Sequence, residues 1–252
     1  MINFTKILHY VIVAAVIINM VSSIELPKDF VQCRKSDPAL DECLKGAFQS
    51  GLSYLGKGDP SLGLIELDSF MIPLLNVEQK TESMNIYVKY MNSTISNLKT
   101  TIIDNVHYDP VNYDLSVELR IPNHVIITGD YNINGKIMIL PIMGNGKFTY
   151  DFDLTKINVN MLLKPVAKKG NTYLKVENLK LAFTIKHIRT ELTNLFNGNK
   201  ELGDNMNVFL NENWTEILVQ LQTNIEEKFA ILIKDLIQQF LNHVPENQLL
   251  LE

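Results

Sequence analysis

Residues capable of chemistry are thinly spread along this 252-residue chain. Of the five histidines, His107, His124, His187 and His243 fall on separate segments. A metal site or a general base needs neighbours that converge on it, and scattered histidines offer none. Gly51, Leu52, Ser53, Tyr54, Leu55 and Gly56 come nearest to a nucleophile elbow. Their spacing is wrong for one, and they lie inside a helical pattern instead of a strand-to-helix turn. Gly144, Asn145, Gly146 and Lys147 resemble a phosphate loop. No Ser or Thr follows the Lys, and the segment opens a strand pattern, so a hairpin turn is the expectation. No catalytic residue, metal or cofactor is expected. A hydrolase of lipid esters stays open as a third reading, because triads converge in space and not in sequence.

What remains is apolar. The chain carries 23 basic and 28 acidic residues, a net charge of −5, with the signs interspersed. That leaves no electrostatic footprint for nucleic acid or an anionic membrane. Residues 7–21 are almost wholly apolar and follow a short segment with one lysine; Ser22 and Ser23 come next. This reads as a signal peptide over residues 1–23, cut after Ser23, with a signal anchor as the other reading of the same run. Residues 24–252 are then expected to form one secreted domain without stable membrane insertion. Two cysteines, Cys33 and Cys43, most simply form one disulfide in an oxidising compartment. A metal pair is the alternative, but no histidine cluster stands near.

The elements that would hold apolar side chains are legible from periodicity. Asp37 and Pro38 look like a helix start, and Leu40, Cys43, Leu44, Ala47, Phe48, Leu52 and Leu55 follow near a 3.6-residue period. Residues 62–77 read as an irregular apolar segment around Pro73. From 84 to 192 the period becomes two, with turn signals at 109–110, 122–123, 129–130, 144–146 and 169–171. That is a meander of long antiparallel strands with one apolar face. Residues 205–244 then show a broad helical stripe without Pro or Gly, expected as one rod of roughly 60 Å.

A curved sheet rolled around a long helix buries both apolar faces. If the sheet is wider than the helix, dry apolar space remains between them, able to take an apolar ligand. The candidate wall is Phe48, Leu52 and Leu55 from the first helix; Ile133, Ile137, Phe148, Phe152, Leu181 and Phe183 from the strands; and Phe209, Trp214, Leu218 and Leu221 from the last helix. Ordinary core is the equal alternative for each. His187 continues the apolar alternation of its strand and is a candidate donor to a ligand oxygen, or a hydrogen-bonded histidine near the sheet edge. Tyr90 and Tyr131 are candidates for a ligand's polar end, or equally for the sheet rim with their hydroxyls in water. Asn92 and Asn213 stand in glycosylation sequons.

Several ordered blocks carry a resemblance: Cys33 and Cys43 with Leu40, Asp41, Glu42 and Leu44; Gly129, Asp130 and Tyr131 followed by Gly135, Lys136 and Ile137; the segment 140–146; and 195–202 continuing to 210–214. In these the chain resembles the insect takeout and haemolymph juvenile hormone-binding protein family across nearly its whole length. The resemblance implies an α+β fold, a long, highly curved antiparallel sheet wrapped around a long C-terminal helix, with an N-terminal helix. It implies a carrier of juvenile hormone, another terpenoid or a fatty-acid-like lipid in extracellular fluid. Dedicated juvenile hormone carriers typically have a second disulfide, so two cysteines point to the takeout-like branch. The expected partner is a small lipophilic ligand, bound by a monomer. The alternative is an extracellular protein with a filled core, acting through surface contacts, for example with a receptor.

Overall fold

The computed structural model describes residues 30–59, 64, 66–67, 70–168 and 170–252, leaving aside the side chain of Leu55. The apolar N-terminal run and its expected cleavage site lie outside the described residues. In chain order the elements are β1 (Cys33–Arg34), α1 (Leu40–Leu55), β2 (Phe70–Lys80), β3 (Met84–Ser96), β4 (Ile102–Asp109), β5 (Asp114–Arg120), β6 (Val125–Ile137), β7 (Leu140–Lys168), β8 (Asn171–Leu192), α2 (Lys200–Glu212), α3 (Trp214–Leu241), α4 (Glu246–Leu249) and β9 (Leu250–Leu251).

Seven strands form one open sheet in the order β2-β3-β6-β7-β5-β4, with β8 pairing β7; its strand pairs are antiparallel. The 29-residue β7 is its spine. Its first part pairs with β6, from Leu140 opposite Ile137 to Phe152 opposite Val125. Further along, Ile157 to Leu162 pair with β5. β6 and β5 therefore lie end to end along one side of β7, and β8 runs along the other.

Three departures from simple periodicity have local causes. The irregular segment around Pro73 is in large part strand β2, at the edge of the sheet. Ile72 opposes Ser93 and Leu74 opposes Met91, so Pro73 is passed over in the ladder, as an edge strand permits. The expected turn at Gly144 and Gly146 lies inside β7, and the hairpin turns instead at Met138 and Ile139. The glycines are there because the chain after β8 crosses directly over them. A Cβ on Gly146 would lie 2.4 Å from the Thr193 carbonyl oxygen, and one on Gly144 2.8 Å from the Tyr131 hydroxyl. The expected single rod is broken at Asn213, where α2 gives way to α3. Asn213 donates its Nδ2 to the Phe209 carbonyl at 2.8 Å, the local competition by which Asn interrupts helices.

Side chains of the helices cap the free strand edges. Along β8, Asn207 Oδ1 accepts from the Leu192 N–H at 2.9 Å and Asn211 Oδ1 from the Thr190 N–H at 2.8 Å. Glu226 Oε1 accepts from the Phe183 N–H at 3.0 Å and Gln238 Oε1 from the Val176 N–H at 2.8 Å. The amides of Asn207, Asn211 and Gln222 donate back to the carbonyls of Leu192, Thr190 and Phe183. α3 also reaches the opposite edge, where Asn224 Nδ2 donates to the Glu78 carbonyl of β2 at 2.8 Å. Two edges of one open sheet thus meet on a single helix, which curls the sheet around it. On β4, Gln49 of α1 accepts from the Ile103 N–H at 2.8 Å and donates to the Thr101 carbonyl at 3.1 Å. Covering edges in this way removes the unpaired groups that otherwise template aggregation.

Candidate functional site: the concave face of the sheet

Buried side chains on the concave side fall into three clusters along the length of the roll. At one end, β4, β5 and the far parts of β7 and β8 pack with α1, the end of α3 and the β1–β9 pair. At the other, β3, β6 and the crossing segment at Leu195 pack with α2 and the start of α3. Between them Ile72, Ile95, Ile121 and Val125 pack with Phe229 and Leu232 of α3.

The candidate wall residues are distributed among all three. Phe48, Leu52 and Leu181 pack partly buried against the first cluster. Ile133, Ile137 and Phe148 are buried in the second, with Phe209 and Leu221 against it. Phe152 packs against the third. Phe183 and Leu218 are half-buried and belong to none of the clusters. Leu55 is the last residue of α1. Trp214 opens α3, half-buried, with its ring 5.8 Å from that of His187.

His187 departs from the inward alternation. A bulge in β8 sets Asp153 opposite His187 and Leu154 opposite Ile185. One residue is gained, so the buried set switches from Leu179 to Ile188 and Leu192, and His187 is left exposed. A single inserted residue reverses every later side chain.

Among the described residues, two tyrosines pair their hydroxyls inside the roll. Tyr90 and Tyr150 share a hydrogen bond of 2.8 Å between their hydroxyls. The ring of Tyr90 stands edge-on to Phe148 at 4.9 Å. Burial pushes the Tyr90 hydroxyl up to about 12 and that of Tyr150 well above its ordinary value, so both stay protonated at any physiological pH. Tyr131 is fully buried and donates to the Thr193 carbonyl at 2.8 Å. In the sequence the alternation marks Tyr150 only as core. The signal available was the ladder of inward aromatics at Phe148, Tyr150 and Phe152.

The disulfide between Cys33 and Cys43 is formed. Cys33 lies in β1, which pairs in parallel with β9, so the bridge ties β1, and through it the C-terminal β9, to α1. Lys35 lies 3.0 Å from Glu246, which is only 5 % exposed, and 2.9 Å from Glu252. The hydrogen bond to Glu252 is the largest influence raising the Lys35 ammonium, against the opposing cost of burial. At the same end Asp41 of α1 meets His107 Nδ1 at 2.8 Å and accepts from the Tyr108 N–H at 3.0 Å. Burial raises the Asp41 carboxyl, but those two hydrogen bonds and the His107 charge outweigh it and hold the group below its ordinary value. Of the sequon asparagines, Asn92 is exposed, whereas Asn213 is half-buried with its amide engaged. Among the described residues no helix is long and apolar enough to cross a membrane.

Comparison with known proteins agrees with this architecture. The structure is similar to the crystal structure of Takeout 1 from Epiphyas postvittana, with a TM-score of 0.76, 26% identity, and coverage of 88% of this chain and 100% of that one. The sequence is 24% identical over 229 residues to the circadian clock-controlled protein daywake of Drosophila melanogaster, covering 88% of this chain and 87% of that protein. It is 26% identical over 149 residues to a putative beta-carotene-binding protein of Schistocerca gregaria, covering 58% of each. The haemolymph juvenile hormone binding protein family matches residues 10–251, nearly the whole sequence, and the chain belongs to that family.

Proposed function

We propose that this protein is an extracellular carrier holding one elongated apolar molecule lengthwise between the concave face of the sheet and α3. The observation that carries the reading is the state of the α3 stripe. Leu218, Leu221, Ile225, Phe229, Leu232, Ile233, Leu236, Ile237 and Phe240 are all half-buried; among the described residues of α3 only Ala230 and Leu241 are fully buried. A helix enclosed by a filled core buries such a stripe. Here the stripe keeps accessible surface although both flanking sheet edges are bound to the same helix. Tyr90 and Tyr150 likewise keep accessible surface while burial raises both hydroxyls. Room beside the helix accounts for both facts.

The chemistry of that space selects the cargo. Each CH₂ removed from water contributes about 0.8 kcal/mol, so a ten-carbon chain supplies roughly 8 kcal/mol before ordering costs. The protonated Tyr90–Tyr150 pair offers a neutral donor and acceptor, suited to a carbonyl, hydroxyl or ester oxygen and poor for an ion. The wall consists of the residues distributed above: Phe48, Leu52, Phe152, Leu181, Phe183, Leu218 and Leu221 where they are half-buried, with Ile133, Ile137 and Phe148 as its packed backing. The relative named as a putative beta-carotene-binding protein supports an apolar cargo, and juvenile hormone, another terpenoid or a fatty-acid-like lipid with a neutral head group satisfies the site. The apolar run at residues 7–21 and the formed disulfide support export of residues 24–252 as one domain. In that compartment Asn92, being exposed, is the glycan acceptor and Asn213 is not; enzymatic deglycosylation of wild type, Asn92→Gln and Asn213→Gln should show one glycan, lost only with Asn92.

Native mass spectrometry of the protein purified from secretion should find a retained lipid, and a lipophilic probe should quench Trp214. An empty protein that binds no such probe would leave the filled-core interaction protein as the better reading.

A further inference from the structure

A ligand enclosed along the roll needs a way in, and the end formed by β3, β6 and α3 carries a cleft. A cleft of about 180 Å³ opens there, lined by Ser83, Met84, Met138, Glu216, Ile217 and Gln220. Three elements make its rim. The β2–β3 turn is bound to the β6–β7 turn by the Met138 N–H donating to the Ser83 carbonyl at 2.7 Å. It is bound to α3 by the Thr81 hydroxyl donating to Gln220 Oε1 at 3.3 Å. The floor belongs to the interior: Met84, 1 % exposed, and Ile217 are both part of the cluster that contains Tyr131, Phe148 and Leu221.

The β6–β7 turn is unusual in two respects. Ile137 opposes Leu140, so Met138 and Ile139 alone make the turn, where Asn or Gly is the ordinary choice. Met138 adopts φ 53, a conformation disfavoured for a side chain of its size. Both residues face outward, Ile139 at 86 % exposure. The positive φ is what a two-residue hairpin turn demands, but here it is met by exposed apolar side chains, and the strained one lines the cleft. Met84 beneath it is an unbranched side chain with three rotatable bonds, the type that moves aside at least cost.

We propose that this cleft is the portal through which the apolar ligand enters and leaves, with the Met138 turn as its lip and Met84 as the side chain that yields. The inference rests on the carrier reading above. By contrast, the opposite end is tied by the disulfide, the β1–β9 pair and the Lys35 ion pairs.

The test is an exchange measurement. The variant Thr81→Cys/Gln220→Cys staples the β2–β3 turn to α3 across the mouth. A neutral fluorescent lipid, the methyl ester of cis-parinaric acid, is loaded and its displacement by unlabelled methyl oleate is followed by stopped flow. The oxidised staple should slow exchange at least tenfold with the equilibrium affinity unchanged, and mild reduction should restore the rate; wild type under the same reductant is the control. Gln220→Trp, which fills the cleft from a half-buried helix position at its rim and forms no crosslink, should slow exchange several-fold, and serves if the staple variant does not fold. Binding with exchange rates indifferent to both changes overturns the portal alone. Failure of the wild type to bind the probe at all overturns the carrier reading, and the portal with it.

Discussion

The two ends of the roll are built on the same hairpin of β7 and β8, yet they are closed by different means. At the α1 end the closure is covalent and ionic: the Cys33–Cys43 bridge, the parallel β1–β9 contact, and Lys35 between Glu246 and Glu252. At the α2 end it is hydrogen-bonded and steric. Asn207 and Asn211 cap the β8 edge, the crossing strand presses on Gly144 and Gly146, and the rim is held by the turns at Thr81 and Met138. The proposed carrier needs one end that stays shut and one that opens without unfolding. Bonds that survive thermal motion suit the first role, and single hydrogen bonds of about 1 kcal/mol net suit the second.

The sharpest way to break the contrast is to remove packing from the α2 end. Phe148→Ala should destabilise the protein by about 3–5 kcal/mol in urea unfolding, because Phe148 is 2 % exposed and touches Tyr90 and Tyr150. A cost below about 1 kcal/mol would mean that this ring borders open space and is not packed. Removing the disulfide acts on the other end. Cys33→Ser with Cys43→Ser should cost about 2–3 kcal/mol from the ten-residue separation, read as a lower melting temperature. Ligand exchange through the far cleft should be unaffected; accelerated exchange would show that the α1 end opens too.

Smaller effects test the edge caps, which both ends use. Asn211→Ala leaves the Thr190 N–H and carbonyl without their partner, at a cost of about 1–3 kcal/mol, and amide exchange at Thr190 should quicken. Gln49→Ala at Ile103 should behave alike, so a large difference between them would show that one edge is held by something else. Tyr150→Phe should leave stability within about 1 kcal/mol, since one neutral hydrogen bond is lost, while weakening ligands that carry a carbonyl and sparing pure hydrocarbons.

The smallest effect is the pH response of the Asp41–His107 pair. His107 has its folded value raised, chiefly by the hydrogen bond to Asp41, above an ordinary 6.5. Its contribution is therefore complete below 6.5 and disappears as pH rises through the raised folded value. Asp41 is held below its ordinary 3.8, so its contribution is complete above 3.8 and is lost as pH falls through the lowered folded value. The pair is strongest between those limits, and His107→Ala should lower the melting temperature there, by less as pH rises through the raised folded value. Both groups are exposed, so added salt should shrink the difference.

Fold class was legible because periodicity is a local property. Alternation from Met84 onward and the stripe after residue 205 each report which face is apolar, and the two cysteines ten residues apart allowed one bridge. Legibility stopped where one residue changes the count. The β8 bulge that exposes His187 and the break at Asn213 are single-residue events inside strong patterns. Pro73 and the pair Gly144 and Gly146 look like punctuation, but an edge position and a crossing chain account for them. Asn207 and Asn211, four apart, were readable as one polar helix face; nothing local showed that this face meets a strand edge.

The sequence by itself determined the succession of helix, strands and helix, the main apolar faces and the two cysteines able to bridge, because each depends on residue type and spacing along the chain. Only the tertiary structure decided that α3 serves both sheet edges, that Tyr90 meets Tyr150, and that one end is locked while the other carries a cleft. Those features depend on how far the sheet curls, and curl is set by hydrogen bonds between residues up to 146 positions apart, which no local pattern encodes.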